Sequence, residues 1–110
     1  MDKLRDQLRE HRPSLINLAD YDEKDHSAWG YHNRHDDGGE EVLLKNNRFE
    51  KLVGGKQEAD RLKLLLADRE FLKTARGNHG KMRYVVRRSI GKTGKDRDWF
   101  VAIDMRFLSE

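Results

Sequence analysis

The chain has 110 residues, 35% apolar and 39% charged, which leaves room for one domain with a modest core; the apolar residues cluster in patterned segments that fit a folded domain with charged ends. It has no cysteine, which excludes disulfides and cysteine-ligated zinc, and no apolar run near the ~20 residues of a membrane span or a signal-peptide core, so a cytoplasmic chain is expected. The net charge of +3 is unevenly spread: eight acids against Lys24 and Arg34 between Asp20 and Glu41, then nine cations against Asp96 alone between Leu72 and Arg97.

The first predicted element is an amphipathic helix from Asp2 to His11, with Leu4 and Leu8 four apart on one face. Arg12-Pro13-Ser14 ends it, because proline disfavours helix in the residue before it. Leu15, Ile16 and Leu18 are expected to pack a turn or extended piece onto the core, beside an acidic surface loop over 17–28. Trp29 and Tyr31 alternate with Gly30 and His32, and Glu41 to Lys45 is a second β-compatible run. Asp36-Asp37-Gly38-Gly39 between them is turn chemistry, so a small hairpin is expected, with Trp29 and Tyr31 helping to close the core.

The same stretch holds metal-ligand side chains: His26, His32 and His35, flanked by Asp22, Asp25, Asp36 and Asp37. His32 and His35 would converge on a helix, but on a strand residues three apart point to opposite faces. The string His32-Asn33-Arg34-His35 also falls short of a His-Asn-His nuclease, which spreads its residues over a hairpin and a following helix. Neither a metal site nor a cofactor is expected.

Asn46 or Asn47 is placed to cap a helix carrying Phe49, Leu52 and Val53, which Gly54-Gly55 stops. A second helix, Gln57 to Arg69, has Ala59, Leu62, Leu65 and Leu66 as its buried stripe, with Phe71 just past its end as a candidate continuation, and the pair makes a helix-turn-helix pattern. The period then changes to two. Met82, Tyr84, Val86 and Arg88 alternate with Arg83, Val85 and Arg87; Trp99, Val101, Ile103 and Met105 alternate with Phe100, Ala102 and Asp104. These strands, joined by Ser89 to Asp98, predict a basic hairpin over 82–105, with Leu72 as a short strand edge. The order helix, small hairpin, helix, helix, basic hairpin predicts one α+β winged helix-turn-helix domain over residues 1–110: three helices, a small N-terminal hairpin and a C-terminal wing.

Clustered cations that neutralise phosphates release counterions, so affinity arises without base contacts. The candidate nucleic-acid contacts are Lys92, Lys95 and Arg97 at the wing's tip, Arg83 and Arg87 on one strand face, Arg88 on the other, and Lys81 and Arg76 nearby. The second helix balances Lys56, Arg61, Lys63 and Arg69 against Glu58, Asp60, Asp68 and Glu70, which suits a solvated helix better than a sequence reader. Trp99 and Phe100 have the chemistry to stack bases, although their alternation with Val101 and Ile103 fits a core. Fold and charge together predict sequence-tolerant nucleic-acid binding through the wing; the alternative is a protein-interaction module that docks onto an ATPase or a partner subunit, and the plain structural reading is a solubilised edge hairpin. No nucleophile–base pair or close carboxylate pair stands at a recognisable spacing, so the domain is not expected to be an enzyme.

Four features resemble a known family: the helix and His-x-Pro-Ser segment from Leu4 to Ser14; Trp29-Gly30-Tyr31 before a turn; Phe49 and Gly54-Gly55 before a leucine-rich helix ending at Phe71-Leu72; and Tyr84-Val85-Val86-Arg87-Arg88, a glycine-bearing tip, then Trp99-Phe100-Val101-Ala102-Ile103. Along nearly its whole length the chain resembles the C-terminal winged helix-turn-helix domain of Cch-type helicases, large ATPases of mobile genetic elements, phages and plasmids. That resemblance implies a non-catalytic piece of a longer DNA-handling protein, with DNA and the parent ATPase domain as partners. Gly91-Lys92-Thr93 is no P-loop, since it lacks the upstream glycine and the strand-to-helix setting.

Overall fold

Leu4 and Leu8 bury one face of α1 (Asp2–His11), as their spacing requires. The computed structural model describes residues 1–22, 28–91 and 96–109. After α1 come a 3-10 turn at Pro13, β1 (Ile16–Asn17) and a second 3-10 turn over Leu18–Asp20. A hairpin follows, of β2 (Tyr31–Arg34) and β3 (Glu40–Leu44); Gly38 takes φ +90° in its turn, and the Asp37 carboxylate accepts from the Gly39 N–H at 2.8 Å. Then come α2 (Asn46–Val53) and α3 (Lys56–Asp68), with Gly54 and Gly55 at positive φ between them. The remaining strands are β4 (Ala75–Arg76), β5 (Met82–Arg83), β6 (Val86–Ile90) and β7 (Asp96–Asp104), before a closing 3-10 stretch over Met105–Ser109.

Five strands form one mixed sheet in the order β1-β2-β3-β7-β6; β1 runs parallel to β2 and the other neighbours are antiparallel. The helices cover one face, where Val42, Leu44, Val101 and Ile103 meet Leu4, Leu8, Phe49, Ala59, Leu62, Leu66 and Phe107. The other face is concave, because the sheet curls. Leu18, from the turn after β1, packs with Ile90 of β6, and the Gly91 N–H donates to the Leu18 carbonyl at 3.4 Å. Tyr31, Leu43, Val86, Phe100 and Ala102 complete this inner core.

The α+β composition and the helix pair stand, but the winged helix-turn-helix architecture does not. The expected wing strand Trp99–Met105 lies in β7 as far as Asp104, and β7 is an interior strand of the sheet whose residues Phe100 to Ile103 are buried on both faces; it pairs with β3 as well as β6 (Leu44↔Val101, Val86↔Phe100). The first hairpin is therefore part of the main sheet rather than an appendage. The expected strand from Met82 to Arg88 is broken at Tyr84-Val85, where two successive side chains both pack against the helix-side core. Its start pairs instead with β4, as Ala75↔Arg83 and Arg76↔Met82, in a separate two-stranded hairpin. The joining loop is shorter than expected, since Ser89 pairs with Arg97 and Ile90 with Asp96.

Smaller differences follow from burial. Asn17, assigned to the acidic loop, lies in β1, anchored by buried Leu18; residues 23–27 of that loop lie outside the described residues. Lys45 takes the N-cap of α2, so neither asparagine caps it, and the Asn46 amide donates to Glu50 instead. In α3 the expected stripe residue Leu65 is exposed beside Leu64, while Lys63 turns inward over the Phe49 ring and donates to Asn46. Burial lowers the Lys63 pKa, with Asp60 and Glu50 opposing that shift. Leu72 does form a bridge, to Ile103. Among the described residues no helix is long and apolar enough to cross a membrane.

Gly30 permits the close approach of β2 to β3. A Cβ there would stand 2.7 Å from the Leu44 side chain, 3.1 Å from that of Leu15 and 3.2 Å from the Leu43 carbonyl oxygen. Leu44 is fully buried and has nowhere to retreat. Gly30→Ala should therefore lower stability by about 1–3 kcal/mol through overpacking, read as a lower urea midpoint with an unchanged m-value.

Candidate nucleic-acid interface

Strand alternation places Trp99 on the same face as Val101 and Ile103, but where those two are fully buried its side chain remains 38% exposed. Its cross-strand partner is Arg87. The Arg87 guanidinium lies 5.3 Å from the ring centroid, and so does that of Arg83, which arrives from β5 in the other hairpin. The bend at Tyr84-Val85 makes this possible, because it lets two arginines four positions apart leave different strands and meet at one indole. Gly77 helps as well: a Cβ there would stand 2.5 Å from Arg83 Nε, so its bare backbone gives the Arg83 side chain room to lie across β4.

Of the other expected cations, Arg97 lies two residues from Trp99 on the same face of β7, whereas Arg76 pairs with Met82 on the face of the β4-β5 hairpin opposite Arg83. Arg76, Lys81 and Arg97 are exposed, as are Arg83, Arg87 and the apolar Met82. Among the described residues none of these five cations makes an ion pair with a carboxylate. Lys92 and Lys95, both expected contacts, lie outside the described residues.

Arg88 departs from the expected set. It points into the concave face, where Nε donates to Glu41 Oε2 at 2.8 Å and Nη2 to Glu41 Oε1 at 3.1 Å. The Glu41 carboxylate is wholly buried; it also accepts from Asn33 Nδ2 at 3.0 Å, and His35 Nε2 stands 3.0 Å from it. Burial pushes the Glu41 pKa upward, but the Arg88 hydrogen bond, the Asn33 amide, the Arg88 charge and His35 outweigh it, so the group lies below its ordinary value. Arg88 thus serves the fold, and its charge is already spent on Glu41. Sequence reasoning missed this because the pair is 47 residues apart and needs the strand order to be known.

The histidine-rich stretch is the hairpin its turn chemistry implies. Trp29 stacks on His11 with centroids 4.1 Å apart, and Tyr31 is buried in the inner core. His35 turns back toward Glu41, while His32 sits opposite Val42 on the other face; His26 and Asp25 lie outside the described residues. Among the described residues no group of three or more metal-ligating side chains converges. A further polar group crosses the inner core: Asp98 accepts from the Tyr21 hydroxyl at 2.8 Å and pairs with Lys45, whose ammonium lies over the Tyr21 and Phe100 rings. Comparison with protein-family models, with curated proteins and with solved structures finds no match.

Proposed function

We propose that the chain is a non-catalytic, sequence-tolerant nucleic-acid-binding module. The observation that carries this reading is the convergence of Arg83 and Arg87 on the half-exposed Trp99 ring, in a cationic surface without acidic partners among the described residues. Arg76, Lys81 and Arg97 extend that surface and would track a phosphate backbone. Sequence tolerance follows from α3, where Lys63 is buried and Arg61 lies 3.7 Å from Glu58, leaving little for reading base edges. The setting within a mobile-element helicase or primase-like ATPase rests on the motif resemblance. Fluorescence anisotropy with a labelled oligonucleotide at low salt tests the reading: binding should be detectable and should weaken on replacing Arg83 and Arg87 by Gln.

A second reading, docking onto a parent ATPase or a partner subunit, is favoured by the adjacent exposed leucines Leu64 and Leu65 on α3. It requires contact through α3, so Leu64→Glu would abolish docking and leave nucleic-acid binding untouched.

A further inference from the structure

We infer that the strand form bound at this surface is single-stranded, with Trp99 as a stacking platform for an unpaired base. The inference rests on the nucleic-acid reading above and deepens it.

Three observations carry it. The indole is large, apolar and exposed where strand alternation would have allowed a polar residue, and the inner core does not use it. A duplex keeps its base faces stacked inside and offers grooves only base edges, so a π-face on the protein gains a stacking partner only from an unpaired base. Two planar, permanently charged guanidiniums lie over the ring, so an incoming base takes an indole face by displacing one of them, and the displaced arginine is then placed to pair with a flanking phosphate.

The second observation is the shape of the surface. Arg87, Trp99 and Arg97 lie where β6 and β7 pair only with each other, beyond the last β3 pair Leu44↔Val101, but the inner face of this ribbon is held down by Leu18 against Ile90 and by Asp98 on Tyr21 and Lys45, so it does not stand free to enter a groove. The pair Arg87↔Trp99 is followed on the same face by Ser89↔Arg97, two residues on and so about 7 Å along the strand. That step is close to one nucleotide of an extended single strand, which places a cation at the next phosphate. The third is charge: between Phe71 and Lys95 the sequence has no acidic residue, so the strand's path across β4, β5 and β6 meets only cationic and neutral side chains of that segment.

The test compares labelled dT20 with a duplex hairpin of equal charge, using the full chain at low salt. The single strand should bind about 10-fold tighter or better. Trp99→Ala should weaken dT20 binding by about 5- to 100-fold, while Trp99→Phe, which keeps a ring, should retain most of it. In a Trp29→Phe background the remaining Trp99 emission should be quenched as dT20 saturates, a readout that leaves position 99 intact. Equal affinity for the duplex, an unquenched Trp99, or a Trp99→Ala protein that binds dT20 like the parent would each overturn the single-strand inference and leave phosphate binding standing. Binding to neither probe would overturn both.

Discussion

Replacing Arg88 by alanine is expected to lower stability by about 3 kcal/mol, the lower end of the range for breaking a buried pair, because Arg88 itself keeps some contact with water. The loss arises at Glu41, which has no exposed surface and would retain only Asn33 and His35. Urea unfolding measures it against a total that is typically 5–15 kcal/mol. Replacing both partners, Glu41→Leu with Arg88→Met, should restore much of the loss, since no uncompensated charge remains buried. The pair also carries a pH signature. The Glu41 pKa is depressed in the folded chain, so its contribution is complete above the ordinary value of 4.5 and disappears as pH falls through the lower folded value. Acid unfolding of the parent should therefore set in below that ordinary value, and Arg88→Ala should shift its onset to higher pH.

Phe100 and Trp99 are neighbours with opposite expected behaviour. Phe100 is fully buried in the concave core, edge-on to Tyr21 and Tyr31, and Phe100→Ala should cost about 3–5 kcal/mol by opening a cavity between fixed rings. Trp99→Ala removes a ring already open to water and should cost about 1 kcal/mol. Thermal melts should separate the two by about 10 °C or more, and only the less destabilising one should selectively impair binding. Comparable losses of stability would mean that Trp99 is a core residue and that no stacking surface exists.

The local elements were legible because each carries its own signal. Leu4 and Leu8 define α1, Gly54-Gly55 separates α2 from α3, and Asp36 to Gly39 turns the first hairpin. Strand partnership was not legible. Phe100-Val101-Ala102-Ile103 is apolar at every position, the pattern of a central strand covered on both faces, yet read beside Trp99 and Asp104 it also fits alternation. Two-residue strands such as β4 and β5 are too short to leave a period, so the hairpin that delivers Arg83 has no sequence signature beyond the turn at His79-Gly80. The candidate site was legible as a set of charges and not as a geometry. Arg83 and Arg87 share the expected surface, Arg88 is drawn to Glu41, and Trp99 gains its importance only from the two arginines that meet over its ring.

The most direct test of the central claim is the salt dependence of dT20 binding for the parent chain and for Arg83→Gln/Arg87→Gln. Each phosphate neutralised contributes a slope of about −0.7 in log K against log salt for a single strand, so losing two contacts should flatten the slope by about 1.4 and weaken binding at every salt concentration. An unchanged slope and affinity in the double variant, with the fold intact, would contradict the account by showing that this cationic surface is not where nucleic acid binds.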